Sequence, residues 1–223
     1  MDSLNIKQRE WDHQVGATDN ILHQVCRRVD EQEFLNLIAD IKEKLVIDIF
    51  QHSVLDVGCG NAVILNHLRR SFQEVYGTDF SSSMISKAKE LIPEGNFSQG
   101  EATKLDFGSE SFERVLAYSI FHYFPSVQYG YEVINEMIRV CKKGGVILIG
   151  DLLDKDYEDI IKNESDLEYE KKIPHIQRYS EWQFFDLNES KDHFVSKGYK
   201  VDILDQSEDF KCAHYRKDLR IWV

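Results

Sequence analysis

The spacing of hydrophobic residues changes near residue 50. Before that point, apolar residues recur three or four positions apart in segments 20–29 and 33–45, which predicts amphipathic helices. After it, short apolar runs such as "SVLDVG", "EVYGTD", "RVLAYS" and "GVILIG" alternate with amphipathic segments. Strands and helices that alternate in this way predict parallel β–α–β units with helices on both faces of one sheet. We therefore expect an α/β protein with a doubly wound sheet and a helical N-terminal extension over residues 1–50.

The carboxyl end departs from this alternation. After a predicted helix in 187–198, the strands "YKVDIL" and "LRIWV" follow one another with only a loop between them. Consecutive strands without a helical crossover are most simply antiparallel neighbours. Residues 151–181 have a weak pattern and are rich in charged and aromatic side chains, which suits an insertion over the acceptor side of an active site. The main domain is expected to span residues 51–223.

Composition and charge narrow the possible partners. The chain has 223 residues, of which 42% are hydrophobic, enough for one large domain with a full core. Its formal net charge of -12 would repel a phosphate backbone, so a small molecule is favoured over nucleic acid as a partner. No apolar run approaches the roughly 20 residues that span a bilayer, and no signal peptide is evident. We expect a cytoplasmic protein without a membrane contact. Its oligomeric state stays open.

The cysteines give no indication of a metal site. The four of them are scattered, and no C-x-x-C pair occurs. A zinc ribbon or a redox dithiol would require such a pair. We predict reduced thiols and no bound metal.

The segment "VLDVGCGNA", residues 54–62, carries the first chemical signal. A strand that ends in closely spaced glycines and enters a helix lets a ligand approach backbone amides, and Gly58 and Gly60 have no side chain to prevent this. The next strand ends in Asp79, where a carboxylate can accept hydrogen bonds from both ribose hydroxyls of an adenosine. Together these features predict a cofactor that contains adenosine.

The residues around the glycines indicate which cofactor. A dinucleotide site requires G-x-G-x-x-G, but the third glycine position is Val63, and Asp56 lies just before the first glycine. A carboxylate there would repel a pyrophosphate and would favour a positively charged ligand. S-adenosylmethionine carries both an ammonium and a sulfonium group.

In these features the segment 54–62 resembles the first motif of class I (Rossmann-like) S-adenosylmethionine-dependent methyltransferases, in their small-molecule branch. The resemblance extends from about residue 50 to the end, through "VYGTDFSSSMISKAKE", "GEATKLDFGSESFERVLAYSIFHYF" and "EMIRVCKKGGVILIGDL". It implies a seven-stranded sheet of order 3-2-1-4-5-7-6 with the last strand antiparallel. The chain departs from the family pattern at Ala62, where a third glycine is common, and at Glu101, where aspartate is common.

The resemblance also implies the cofactor site, with S-adenosylhomocysteine as the product. Its members are the first-motif residues Asp56, Gly58, Cys59, Gly60 and Asn61, Asp79 on the ribose, Phe80 and Met84 beside the adenine, Glu101 and Ala102 at the adenine amino edge, and Tyr118 and Ser119 facing the methionine part.

Two residues are candidates for catalysis. His122 follows the fourth strand and Asp151 follows the fifth, at the sheet edge where ligands gather. Each is interpreted as a general base or a substrate anchor, and the alternative of a pocket residue that takes no proton stays open. Five others are assigned to a lid or the acceptor side, although packing or surface position is the simpler explanation for each: Trp11, His13, Tyr169, His175 and Tyr179.

The function predicted from the sequence is methyl transfer from S-adenosylmethionine to an oxygen or nitrogen of a small polar metabolite. Where enzymes acting on exocyclic amines of bases carry a D/N-P-P-Y/F motif, this chain has "YSIFHYF", which argues against a nucleic-acid acceptor. A short-chain reductase would need a Tyr-x-x-x-Lys pair, which is absent. A catalytically inactive cofactor-binding protein with a regulatory or partner role stays open as the alternative.

Overall fold

The computed structural model of the chain describes residues 3–27, 29–47 and 49–223. Its strands are β1 (Gln51–Val57), β2 (Phe72–Asp79), β3 (Asn96–Gln99), β4 (Phe112–Tyr118), β5 (Cys141–Leu153), β6 (Lys200–Asp205) and β7 (Arg216–Trp222). Its α-helices are α1 (Ser3–Gln14), α2 (Ile21–Gln24), α3 (Glu31–Lys44), α4 (Val63–Leu68), α5 (Ser82–Leu91), α6 (Val127–Val140), α7 (Glu158–Glu164), α8 (Leu167–Glu170) and α9 (Leu187–Val195).

The strands of the described residues form one seven-stranded sheet with the order β3-β2-β1-β4-β5-β7-β6. The neighbours from β3 to β5 are parallel, whereas β7 is antiparallel to both β5 and β6. The predicted sheet order and the reversed last strand are confirmed. Because β1 lies between β2 and β4, the strand order reverses direction at β1, which is where ligands bind in open α/β sheets.

Helices bury both faces of the sheet. On one face, α3 packs its apolar stripe of Phe34, Leu37, Ile38 and Ile41 into a cluster with strand residues that include Val54. On the other face, α6 contributes a second cluster through side chains at the same helical spacing. The periodicity that predicts these helices therefore reflects their buried sides.

The structure corrects the predicted helix over 20–29. Asn20 caps α2, but the helix ends at Gln24, and Cys26 adopts a left-handed φ of 56°. Residue 28 lies outside the described residues. The chain that leaves α2 turns inward, so that Val25 and Arg27 line cavities of the protein.

The fifth strand is longer than its apolar run predicts. It continues to Leu153, so Asp151 lies within β5 rather than beyond it. The β5–β7 register shifts between Ile149 and Leu152, and Asp151 has a φ of 67° inside this irregularity. After β5, the segment up to residue 181 forms short helical turns. Among the helices of the described residues, none has the length and apolar character needed to cross a bilayer.

Candidate active site

A cavity of about 430 Å³, here called the first cavity, opens at the carboxyl ends of β1, β2 and β4. With the exception of Asn61, every residue predicted to bind the cofactor lines it, namely Asp56, Gly58, Cys59, Gly60, Asp79, Phe80, Met84, Glu101, Ala102, Tyr118 and Ser119. The fold thus brings the predicted cofactor residues to one place.

The turn between β1 and α4 exposes backbone to the first cavity. Gly58 has a φ of +76° and Gly60 a φ of +54°, a backbone region that residues with a side chain rarely adopt. A Cβ on Gly58 would also lie 2.7 Å from Ile120 Cγ2. The amides of Gly58 and Cys59 donate to the Thr78 carbonyl at 2.8 and 3.0 Å, which fixes the turn against β2. Glycine is therefore required here both for conformation and for space.

Asp79, the last residue of β2, points into the same turn. One carboxylate oxygen accepts the Gly60 amide and the other accepts the Ser81 amide, both at 2.9 Å. Burial raises the pKa of Asp79 to about 6, although these amide bonds act in the opposite direction. Each carboxylate oxygen has a further lone pair, so a vicinal diol can still donate to both.

Asp56 is the second buried carboxylate of the first cavity and is only 2% exposed. Burial, followed by the charge of Asp79, raises its pKa to about 8, whereas Arg27 acts to lower it. Within the described residues no hydrogen bond to its side chain contributes. The cavity wall thus has two close carboxylates, and only Arg27 acts to offset the negative charge of Asp56. Such a wall favours a positively charged ligand.

Asn61 is directed away from the first cavity. Its side-chain amide donates to the Ile21 carbonyl at 2.8 Å and to Gln24 Oε1 at 2.9 Å, while its oxygen accepts the Val63 amide. The residue thus fastens α2 to the start of α4, next to Ala62, which has a left-handed φ of 62°. The structure does not place Asn61 with the other predicted cofactor residues.

Helix α1 covers the side of the first cavity predicted to hold the adenine. Gln8 donates to the Phe80 carbonyl at 2.6 Å, and Asp12 accepts the Ser81 hydroxyl at 2.6 Å. Trp11 packs in a small apolar cluster with Met84. Glu101 lines the cavity but is exposed, so its contact with a ligand would be made at the rim.

A second cavity of about 730 Å³ adjoins the first. The two share wall residues, which include Trp11, Tyr118, Ser119 and Tyr123. Both predicted catalytic residues, His122 and Asp151, line the second cavity. A ligand in the first cavity would thus meet a ligand in the second across Tyr118 and Ser119.

His122 is only 3% exposed and lies between Tyr123 and Trp182, with ring centroids 4.0 and 4.9 Å away. Burial and the nearby Arg216 lower its pKa to about 3, so the imidazole is neutral near pH 7. Its Nδ1 atom is buried and forms no hydrogen bond within the described residues.

Asp151 is ionised and closely held. It accepts Arg216 Nη1 at 2.6 Å and the hydroxyl of Ser119 at a short distance. Burial would raise the pKa of Asp151, but Arg216 and Arg27 outweigh it and hold the pKa well below the usual range. Ser119, like Asp151, has a left-handed φ, here 61°. Strained backbone just after β4 and within the neighbouring strand β5 is typical of functional sites.

Sequence reasoning missed several residues of the second cavity, among them Arg27, Trp182 and Arg216. They follow α2, precede α9 and begin β7, and no motif links these places. Of the weaker candidates, Trp11, Tyr169 and Tyr179 line the second cavity, whereas His13 and His175 line neither cavity. His175 instead lies 2.8 Å from a Glu181 carboxylate oxygen.

Comparison with known proteins identifies the class. Residues 55–149 match the protein family described as a methyltransferase domain. Phosphatidylethanolamine N-methyltransferase of Cereibacter sphaeroides is 35% identical over 102 residues, which cover 43% of this chain and 48% of that protein. Demethylmenaquinone methyltransferase of Thermotoga maritima is 30% identical over 112 residues, which cover 49% of this chain and 48% of that protein. The matches thus span about half the length of these relatives.

Solved structures share the fold over nearly the whole chain. Magnesium protoporphyrin IX methyltransferase of Synechocystis, solved with bound S-adenosylmethionine, superposes with a TM-score of 0.65 at 13% identity. The superposition covers 99% of this chain and 97% of that one. The prediction is confirmed for residues 55–149, which match a methyltransferase domain, and for the class I fold; the cofactor of that family is S-adenosylmethionine. The buried carboxylates Asp56 and Asp79 fit the cationic and ribose parts of this cofactor.

Proposed function

We propose that the protein transfers the methyl group of S-adenosylmethionine to an oxygen or nitrogen atom of a small polar molecule. The observation that carries this proposal is that the first cavity, lined by the cofactor motif, adjoins a larger second cavity across Tyr118 and Ser119. Methyl transfer needs an acceptor atom in line with the sulfur–methyl bond, so two adjoining cavities suit the reaction.

The proposed roles follow from the geometry of the first cavity. Asp79 binds the ribose hydroxyls, Asp56 faces the positively charged methionine part, and the turn at Gly58 and Gly60 lets the ligand approach the backbone. The cofactor supplies a methyl group that its positive sulfur already activates. The protein therefore mainly aligns the reactants and excludes water, and Trp11 of α1 covers the junction of the cavities.

We propose that His122 and Asp151 hold the acceptor. Neutral His122 offers a hydrogen bond, but a base with a pKa of about 3 removes protons poorly from a high-pKa hydroxyl. Asp151 is already engaged by Arg216 and Ser119. The arrangement suits a nucleophile that has a free lone pair when it binds.

The names of the relatives support a small-molecule acceptor. The matched proteins are named for methylation of phosphatidylethanolamine and of demethylmenaquinone. The fold neighbour from Synechocystis is named for magnesium protoporphyrin IX. Because these acceptors differ widely, the names do not specify the acceptor of this chain. Which class of molecule it accepts depends on the second cavity.

The first test is calorimetric titration of the purified protein with S-adenosylmethionine, S-adenosylhomocysteine and NADH. We expect the two adenosyl ligands to bind at micromolar concentrations and NADH not to bind. Mass spectrometry of a mixed panel of acids, amines and phenols incubated with enzyme and cofactor then detects products heavier by one methylene. Absence of adenosyl binding would refute the proposal, and binding without transfer to any acceptor would favour the inactive binding protein.

The raised pKa of Asp56 predicts how the stability of the protein depends on pH. Because its pKa of about 8 lies above the usual value of about 3.9, the folded protein binds more protons than the unfolded chain between these values. The free energy of unfolding of the ligand-free protein should therefore fall as pH rises from about 7 to about 8.5, a window above most histidine titration. Urea unfolding at several pH values measures this slope, which should become shallower in Asp56→Asn.

Ionisation of Asp56 should also accompany cofactor binding. At about pH 7 most Asp56 is protonated in the free protein, and a cationic ligand favours its ionised form, so binding should release up to about one proton. Calorimetry in buffers of different ionisation enthalpy measures this number. An equal proton release by the Asp56→Asn variant would contradict the assignment.

A further inference from the structure

The inner end of the second cavity carries buried polar atoms that lack partners. Within the described residues, three such nitrogens belong to residues of the cavity wall: His122 Nδ1, Trp182 Nε1 and Arg216 Nε. Their side chains are neighbours, because the Trp182 ring lies 4.9 Å from the His122 ring and 5.2 Å from the Arg216 guanidinium carbon. Buried polar atoms without a hydrogen-bond partner are rare in native proteins, so three in one cluster indicate an absent partner.

The donor types indicate what that partner offers. Indole and guanidinium nitrogens carry hydrogen and can only donate. Arg27 adds a second guanidinium, which lines both cavities and donates Nη2 to Ser119 Oγ at 2.9 Å. Within the described residues, no carboxylate lies within salt-bridge distance of Arg27. The missing partner must therefore accept hydrogen bonds, and a negative charge would be favourable.

The charge balance at this end is positive. Arg27, Ser119, Asp151 and Arg216 form one hydrogen-bonded chain, in which Asp151 is the only carboxylate and two guanidinium groups flank it. Of the five other carboxylates on the wall, Glu33, Asp166 and Glu170 accept hydrogen bonds from backbone amides. Asp166, for example, accepts the first amides of α8.

The walls around this end are aromatic. The Tyr179 ring lies 4.3 Å from Trp182, and Tyr123 lies beside His122. A flat apolar body can pack on these rings while a charged oxygen group at its end reaches the guanidinium groups.

We infer that the acceptor carries a carboxylate, which binds to an anion seat formed by Arg27, Trp182 and Arg216, with its apolar body against the aromatic wall. This inference rests on the proposed function, since it describes the acceptor of that reaction. A guanidinium group presents paired N–H donors that match the two oxygens of a carboxylate. All three unpartnered nitrogens are covered, so binding requires the Trp182 ring to move.

The test uses four probes with the same flat body and different end groups: 2-naphthoate, 2-naphthamide, 2-naphthylmethylammonium and 2-naphthyl phosphate. Each is titrated into the protein saturated with S-adenosylhomocysteine, and affinity is measured by calorimetry and tryptophan fluorescence. We expect naphthoate to bind at least roughly tenfold more tightly than the amide and the ammonium, at least as tightly as the phosphate, and more weakly as salt is added. A fluorescence change that disappears in Trp182→Phe would report movement of that ring.

Variants identify the anion seat. Arg27→Met should weaken naphthoate binding by roughly tenfold or more, whereas Arg27→Lys keeps the charge and should recover part of the loss. Arg69→Met is the matched control, because Arg69 lies outside both cavities and pairs with Glu94 at the surface. Trp182→Phe should weaken naphthoate more than the amide, because it removes one donor to the charged oxygens and keeps an aromatic ring.

Four results would overturn the inference: equal or tighter binding of the amide or the ammonium probe, preference for the phosphate, no detectable naphthoate binding, or an Arg27→Met variant that binds naphthoate like the wild type. Failure of S-adenosylhomocysteine to bind in the first step would instead refute the proposed function. The two failures are therefore distinguishable.

Discussion

Replacing Asp79 by asparagine should reduce the affinity for S-adenosylhomocysteine by roughly 10- to 100-fold, because hydrogen bonds to a charged group contribute about 1.5–3 kcal/mol. In the wild type, both carboxylate oxygens accept a backbone amide, from Gly60 and from Ser81, at 2.9 Å. Asparagine retains the shape of the side chain but has only one oxygen. Its NH₂ group would face either an amide donor or a ribose hydroxyl, so one side of the site loses its acceptor.

The stability of this variant separates binding from folding. Burial raises the pKa of Asp79 to about 6, which means that the folded protein gains little from its charge. Asparagine removes the cost of the buried charge but leaves one of the two backbone amides without an acceptor, so the thermal midpoint should fall only modestly. Asp79→Ala removes both acceptors and should abolish measurable binding.

Calorimetric titration with S-adenosylhomocysteine measures the effect. Asp106→Asn is the matched control, since Asp106 is exposed and lies outside both cavities. If Asp79→Asn binds S-adenosylhomocysteine as tightly as the wild type does, Asp79 does not bind the ribose hydroxyls as proposed. Loss of binding together with a large drop in the thermal midpoint would instead show that Asp79 acts through the fold.

The parts of the site that sequence predicted are local in the chain. Asp56, Gly58 and Gly60 lie within one strand–turn–helix unit, and Asp79 ends the neighbouring strand, so the positions of strand ends bring them together. Asn61 belongs to the same turn, yet its side chain binds α2. That direction depends on where the N-terminal segment packs, which the local pattern does not contain.

The second cavity could not be assembled from sequence. Arg27, Trp182 and Arg216 come from three distant parts of the chain and follow no shared spacing. Their proximity depends on the inward turn after α2, on the path of the segment after β5 and on the reversed strand β7. Asp151 illustrates the same limit, because its position depends on a local shift in the β5–β7 register that no periodic pattern predicts.

A buried ion pair behind the second cavity gives the largest expected effect on stability. Lys44 Nζ lies 2.7 Å from Asp218 Oδ2, and Asp218 is completely buried. Replacing Lys44 by methionine retains most of the side-chain volume but leaves a buried carboxylate without its cation. Removal of one partner of a buried pair typically costs about 3–5 kcal/mol, and we expect a loss in this range in the free energy of unfolding.

Urea unfolding measures the loss, and a double-mutant cycle assigns it. The Lys44→Met/Asp218→Asn double variant should recover much of the stability, because no unpaired charge remains. Lys87→Met is the control for an exposed pair, with Glu90, and should change the free energy of unfolding by less than about 1 kcal/mol. If Lys44→Met is no more destabilising than Lys87→Met, the pair does not stabilise the fold as inferred.

This ion pair also connects stability to the acceptor side. Asp218 Oδ1 accepts the Asp151 amide at 2.8 Å and Gln206 Nε2 at 3.0 Å, and Gln206 in turn donates to the Tyr118 hydroxyl. These contacts hold Asp151 in its left-handed conformation and Tyr118 at the junction of the two cavities. Lys44→Met should therefore weaken naphthoate binding under conditions where the variant is still folded, although Lys44 lines neither cavity. Unchanged naphthoate affinity in the folded variant would confine the role of Lys44 to stability.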